Sequence, residues 1–314
     1  MKVTDFREYH PLVSVVIITR NRPEHVQECL SHLLKQDYQP FETIVADSST
    51  DETTKRLIDA DFGQVKYLHV EKARNNMPKS RNVGIDESRG EILAFIDDDC
   101  LVQEGWLRNV VACYGPDSSI GGVGGRVIDK HYPPDDHTPI GKVLPDGSRT
   151  TNFGRETAET CQVDWIPGNS MSFRKDVLLE IGPFDENLTI TNDGEDLDMC
   201  IRVGRAGYKI MYCSTARLVH KSIRRSEGYS YMRPLTHYSM TRNKVYLMIK
   251  NWGFRKEWML AILYGDTRGI LMCMLRKMSW NNLTCLCANI CGKTAGLIAG
   301  TFRKRRGQLR HEKP

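Results

Sequence analysis

Short apolar runs and polar breaks alternate along the chain up to about residue 220. Val13–Thr19 is a near-continuous β-branched run and predicts a buried first strand. Arg20-Asn21-Arg22-Pro23 breaks it; Pro23 suits the first turn of a helix, and Val26, Leu30, Leu33 and Leu34 recur at helical spacing. Phe41–Ala46 predicts a second strand, and the polar cluster Asp47-Ser48-Ser49-Thr50-Asp51 ends it and caps a helix over Glu52–Ala60. Val65–Val70 predicts a third strand, Asn75–Ser80 a loop, Arg81–Ser88 a helix, and Glu91–Ile96 a buried strand that runs straight into Asp97-Asp98-Asp99. This β-α-β-α-β order predicts an α/β fold with a parallel, doubly wound sheet. Asp47 and Asp97–Asp99 then lie past strand ends on one edge, the edge where such sheets bind ligands.

Further on, Ile120–Ile128 predicts a glycine-rich strand; its Gly121-Gly122-Val123-Gly124-Gly125 run does not complete a dinucleotide fingerprint, because Val127 stands at the last glycine position. Lys130–Cys161 is rich in Pro, Gly, Asp and Thr and predicts a long surface loop or hairpin. Trp165–Phe173 predicts a turn and strand, Lys175–Ile181 a helix, and Gly194–Val203 a helix with an acidic start and an inner face of Leu197, Ile201 and Gly204. Lys209–Tyr212 predicts a strand, and Ala216–His220 leads to a histidine.

Candidate chemistry follows the acidic positions. If the chain stays extended past Ile96, Asp97 and Asp99 point one way and Asp98 the other. Taken alone, such a cluster is either a solvated acidic turn or a pair of converging carboxylates that a hard cation such as Mg²⁺ or Mn²⁺ would relieve. Glu195 and Asp196 open a helix, where the dipole favours anions, so they read either as a cap or as reactive carboxylates. His220 alone reads either as structural or as a ligand.

The 314 residues suffice for one large α/β domain with an appendage, at 40% hydrophobic and 26% charged content. A net charge of +5 does not by itself call for nucleic acid, and none is expected as a partner. Met1–His10 is polar and charged, so the ten scattered cysteines are read as reduced and the protein as cytoplasmic. Cys285, Cys287 and Cys291 cluster without a fourth ligand at zinc spacing. After His220 the composition changes: Arg224, Arg225, Arg233, Arg242, Lys244 and Lys250 alternate with Tyr, Trp and Met. Met259–Leu275 is apolar but broken by Asp266 and Arg268, and Leu283–Phe302 carries Asn289 and Lys293 before Arg303-Lys304-Arg305-Arg306. This part reads as a helical appendage packed on the domain, as helices lying on an anionic membrane face, or as a span.

In order and spacing, these stretches resemble the GT-A fold glycosyltransferases of the large family 2 type. The likeness covers residues 12–220. It rests on Val-Val-Ile-Ile-Thr-Arg-Asn-Arg, Ile-Val-Ala-Asp-Ser-Ser-Thr-Asp, Ser-Arg-Asn-Val-Gly-Ile, Ile-Asp-Asp-Asp, Gly-Asn-Ser-Met-Ser-Phe-Arg-Lys, Ile-Gly-Pro-Phe-Asp-Glu, Gly-Glu-Asp-Leu-Asp-Met and Leu-Val-His. The resemblance implies a Rossmann-like sheet flanked by helices, with a catalytic domain over 1–222 and a helical extension over 223–314. Within that domain it implies a nucleotide-sugar half over 12–128 and an acceptor half over 129–222. It further implies an inverting, metal-dependent enzyme that uses a UDP-, dTDP- or GDP-sugar, with a glycan or lipid-linked acceptor. By the same resemblance Asp97, Asp99 and His220 hold Mn²⁺ or Mg²⁺; Thr19, Asn21, Asp47, Arg81 and Asp97 line the donor; Asp196 is the base; and Trp165, Asn169 and Glu195 stand on the acceptor side. One departure is Ser48, where many relatives carry a second acid.

Two other classes fit less well. A nucleotidyltransferase would also carry aspartates at strand ends, but needs a glycine-rich, lysine-containing loop after the first strand, which Thr19–Pro23 lacks. A binding or scaffold protein has no reason to keep Asp97, Asp99, Asp196 and His220 together.

Overall fold

The computed structural model describes residues 9–71, 73, 76–144, 148–188, 194–221, 234–253 and 288–301. The first strand, β1 (Val13–Thr19), is buried along its whole length, as a β-branched run between two parallel neighbours must be. It pairs with β2 (Phe41–Asp47) on one side and β4 (Ile92–Asp97) on the other, and β3 (Lys66–His69) adds to β2. Helix α1 (Pro23–Leu33) starts at a proline and buries Val26, Cys29, Leu30 and Leu33; α2 (Thr53–Asp61) buries Thr54 and Ile58. Helix α3 (Met77–Asp86) begins four residues before the expected position. Asn76 caps it by accepting a hydrogen bond from the Lys79 N–H, and a proline fits its first turn, so the Asn-Pro signal marks a start rather than a loop.

The second half departs from an all-parallel sheet. After β4 come β5 (Cys100–Val102), α4 (Trp106–Tyr114), β6 (Ile120–Ile128), β7 (Cys161–Val163), β8 (Met171–Arg174), α5 (Lys175–Ile181), α6 (Glu195–Arg205) and β9 (Lys209–His220). The sheet order is β3-β2-β1-β4-β8-β6-β9-β5, with β7 on β9. Strand β8 is antiparallel to both β4 and β6, so the sheet is mixed; β5 and β7 are also antiparallel to β9. The two runs expected around 209–220 are one strand, β9. In α6 the buried face is Leu197, Met199, Cys200 and Val203; Gly204, expected inside, is exposed. The glycine-rich stretch is a strand as expected, and the described residues between 130 and 160 are largely irregular.

These elements form one compact unit, Met1–Lys142, Thr150–Glu186 and Glu195–Ile223. Its core joins Val15, Ile17, Leu30, Ile96, Trp106, Val110, Tyr114 and Leu218. The other unit contains Val143–Arg149, Asn187–Gly194 and Arg224–Pro314. Within it, α7 (Pro234–Trp252) packs against a helix over residues 288–301, where Asn289 Nδ2 donates to Thr241 Oγ1 at 2.9 Å. Val245, Met248, Ile249, Trp252 and Leu297 make its apolar seam. Among the described residues no helix is long and apolar enough to cross a membrane. Met259–Leu275, Cys285, Cys287 and Arg303–Arg306 lie outside the described residues.

Candidate active site

Strand register builds the site. Thr19 pairs with Asp47 and Ile18 with Asp97, so the polar ends of three parallel strands meet at one edge of the sheet. Asp47 is fully buried, and its carboxylate is satisfied inside the protein. Oδ1 accepts from the Ser49 N–H (2.8 Å) and hydroxyl (2.5 Å), and Oδ2 from Tyr67 Oη (3.0 Å). Asn21 has φ 54°; its backbone N–H donates to Ser49 Oγ (2.7 Å) and its Oδ1 accepts from the Thr50 N–H (2.9 Å). These bonds clamp the loops after β1 and β2 to each other.

The three aspartates do not alternate. The strand ends at Asp97, and Asp98-Asp99 turn into β5, so the extended-chain premise fails there. Asp98 accepts from Thr19 Oγ1 (2.7 Å) and Arg22 Nη1 (2.8 Å), and the same Nη1 reaches Asp99 Oδ2 (3.2 Å). Burial pushes the Asp98 carboxyl up to about 6, against the pull of Arg22 and Thr19. On the other side, Asp99 Oδ1 lies 3.4 Å from His220 Nε2, and His220 Nδ1 lies 2.9 Å from Asp129 Oδ2. Burial works against both charged forms, yet the pairing prevails. Hydrogen bonding and charge between the two hold Asp99 below the usual carboxylate range and raise His220 to about 9.

Asp97 turns toward Arg81, whose guanidinium is almost wholly buried, at 1% exposure. Arg81 Nη2 lies 3.4 Å from Asp97 Oδ1 and 3.3 Å from the Gly168 carbonyl, while Nη1 donates to Glu195 Oε1 at 2.7 Å. One buried cation therefore joins the end of β4 to the start of α6. Burial first, and then the charge of Asp196, push the Glu195 carboxyl up against the pull of Arg81. Asp196 is held by two backbone donors: Gly168 N–H to Oδ2 (3.2 Å) and Leu197 N–H to Oδ1 (2.7 Å). Among the described residues, Glu195 Oε2 and Asn169 Oδ1 are buried with no hydrogen-bond partner. Trp165 is only 3% exposed; its indole N–H donates to the Thr150 carbonyl (2.9 Å) and its ring meets Phe153 edge-on at 5.0 Å.

The structure thus brings Thr19, Asp97, Asp99, Arg81, Glu195, Asp196 and His220 to one edge. Asp47 and Asn21 brace the neighbouring loops, and Trp165 holds the segment before Asn169. Arg22, Asp98 and Asp129 were not anticipated. Asp129 comes directly after β6, and Asp47 is the last residue of β2, so the same strand-end reasoning applies to both. Among the described residues, Asp99, Cys100 and His220 present ligand atoms within 4.8 Å of one another. The Cys100 thiol is buried and pushed well up by that burial and by Asp97 and Asp99. The donors that suit a hard cation are therefore the carboxylate and the imidazole.

The fold matches solved glycosyltransferases of the GT-A fold. GalNAc-T7, crystallised with UDP, GalNAc and Mn²⁺, superposes with a TM-score of 0.66 at 18% identity, over 85% of this chain and 52% of that one, so this chain spans about half its length. The mannosyltransferase PcManGT from Pyrobaculum calidifontis, in complex with GDP-Man and Mn²⁺, gives 0.55 at 18% identity over 94% and 87%. The model of glycosyl transferase family 2 matches residues 14–181, and the chain belongs to that family: it is a glycosyltransferase. A relative by sequence is the glucosyl-dolichyl phosphate glucuronosyltransferase of Haloferax volcanii, 29% identical over 224 residues, which is 67% of this chain and 69% of that protein.

Proposed function

We propose that this enzyme transfers a sugar from a nucleotide-sugar donor to a hydroxyl of a glycan or lipid-linked acceptor, inverting the anomeric carbon, in cell-surface polysaccharide synthesis. The observation that carries the reading is the pair of carboxylate groups on one sheet edge, Asp97 and Asp99 on one side and Glu195 and Asp196 on the other, with buried Arg81 between them. The donor is a UDP-, dTDP- or GDP-sugar lying along Thr19, Asn21 and Arg81, with Asp47 fixing the loops on that side. The catalytic domain is read as residues 1–222, its donor half over 12–128 and its acceptor half over 129–222, with 223–314 as an extension.

Asp99 and His220, with Asp97 beside them, would hold Mn²⁺ or Mg²⁺; the 3.4 Å between carboxylate and imidazole suits a shared ion. When bound, such an ion neutralises charge on the departing diphosphate. Asp196 takes the proton of the acceptor hydroxyl while that oxygen attacks the anomeric carbon. The bond from that carbon to the diphosphate breaks, and its electron pair leaves with the nucleotide. The two backbone N–H groups on Asp196 fix its carboxylate for this role. Glu195 and Asn169 stand on the acceptor side, where their unpartnered buried oxygens suit sugar hydroxyl donors. No second nucleophile is required, which supports inversion.

A donor screen tests the reading: sugar nucleotides assayed with Mn²⁺ or Mg²⁺ for binding and slow hydrolysis, then product stereochemistry by NMR. Retention of configuration, or no nucleotide-sugar bound in the presence of metal, would overturn it.

The lipid-linked acceptor is supported by a relative named for a dolichyl phosphate substrate and by the basic, apolar sequence after His220. The enzyme then works at the cytoplasmic face of the cell membrane. Anionic vesicles should pull the full chain down at low salt and release it as salt rises, because exposed charges are screened within about 8 Å at physiological ionic strength. Equal sedimentation with and without anionic vesicles would leave the C-terminal segment as a packed appendage.

A further inference from the structure

The glycine-rich strand β6 and the long strand β9 share an irregularity that bears on His220. They run parallel with Gly124 opposite Tyr212 and Gly125 opposite Cys213, and then the register jumps so that Arg126 faces Arg217. Ser214, Thr215 and Ala216 form the intervening bulge in β9. The bulge presses the Ala216 carbonyl against Gly125, where an added Cβ would sit 2.3 Å from that oxygen. Only a residue without a side chain fits there. With the jump, Ile128 faces Val219, and the next positions are Asp129 and His220. Without it, Asp129 would stand beside Arg217.

Asp129 is buried, and its other oxygen is pinned: the His131 N–H donates to Oδ1 at 2.8 Å, leaving Oδ2 aimed at His220 Nδ1 at 2.9 Å. On the far side of the ring, β5 pairs Cys100 with His220, and the Lys221 N–H donates to the Asp99 carbonyl at 2.9 Å. The imidazole is therefore gripped between two strands, with a carboxylate on each nitrogen.

We infer that Asp129 is a positioning residue for the cation site: it accepts the Nδ1–H of His220 and so leaves the Nε2 lone pair facing Asp99, and the Gly125 bulge sets the register that makes this contact. A carboxylate on the outer nitrogen of a metal-binding histidine fixes its tautomer and raises its basicity. The inference rests on the proposed cation role of Asp99 and His220, and its test separates the two. Mn²⁺ alone, followed by paramagnetic resonance and by broadening of the His220 ring signals, reports the site without any transfer reaction. Asp129→Ala should weaken Mn²⁺ binding about 10- to 100-fold. Asp129→Asn keeps an acceptor oxygen and should lose less, and it serves as the control if the alanine variant folds poorly. Independently, long-range ¹H–¹⁵N correlation of the metal-free protein, recorded at the alkaline end of the His220 titration, should show the neutral ring protonated on Nδ1 in the wild type and shifted toward Nε2–H in Asp129→Ala. A wild-type ring protonated on Nε2, or unchanged Mn²⁺ affinity in both variants, overturns the inference while leaving the cation reading intact. Mn²⁺ that broadens other residues but not His220 overturns the cation reading and this inference with it.

Discussion

Asp196→Asn is expected to cut sugar transfer at least about 10²-fold while donor nucleotide affinity, read by calorimetry, stays within a few-fold of wild type. The substitution keeps size and shape and removes the ability to take a proton. The choice between Asp196 and its neighbour rests on what each carboxylate touches. Glu195 spends one oxygen on the buried Arg81 guanidinium at 2.7 Å, an ion pair that ties α6 to Asp97. Asp196 is oriented by two backbone N–H groups, from Gly168 and Leu197. Successive residues at a helix start point about 100° apart, so only one of the pair faces a given substrate. Glu195→Gln should weaken the link to Arg81 and lower the melting temperature. Asp196→Asn should leave stability nearer wild type, because its helix-start position and backbone contacts persist. Normal transfer by Asp196→Asn with a dead but folded Glu195→Gln would move the base back one residue. Normal transfer by both would leave Gly194–Asp198 as a helix start and nothing more.

The second large effect concerns the cation. Asp99→Ala should abolish metal-dependent donor binding in a protein that remains folded. Removing a group that merely supports a metal ligand costs about 10- to 100-fold in affinity, so removing the ligand itself should cost at least the upper end of that range. The fold should survive, because Arg22 keeps its 2.8 Å bond to Asp98 and Asp98 keeps Thr19 at 2.7 Å. Calorimetry with a nucleotide, with Mn²⁺ and with EDTA, separates the outcomes. Full donor affinity of the wild type in excess EDTA would remove the cation from the reading altogether.

Much of this was legible in the chain because it is local. The β-branched run of β1, the proline and leucine spacing of α1 and the apolar stretch before Asp97 each need only their own neighbours to be read, and the observed bounds agree within a residue or two. Helix α4 was legible but unread: Trp106, Leu107, Val110, Val111 and Tyr114 recur at helical spacing and are all buried. What failed was non-local. Nothing in Met171–Arg174 reveals that the strand runs against both its neighbours, since direction is set by the path of the chain and not by side-chain pattern. The turn at Asp98-Asp99 was missed because the extended-strand premise was carried one residue too far. Asp129 lay unread because its partner is 91 positions away. The identity of the sugar belongs to the same category, since it depends on a pocket shape assembled from several loops.

The bulge in β9 also changes how length variation in this chain should be regarded. Three residues between paired segments, one of them exposed, look like the least costly place for a deletion. Here they act as a spacer whose count is fixed. Losing one of Ser214, Thr215 or Ala216 would slide Arg217–His220 by one position against β6 and turn each side chain to the opposite face of the sheet. His220 would leave Asp99 and Asp129 although every reactive residue was still encoded. By contrast, the described residues between 130 and 160 have few strand registers to upset, and insertions at their exposed turns are expected to cost less. A sequence that aligns well at every aspartate and histidine but is one residue short between Cys213 and Arg217 should therefore lack the proposed cation site.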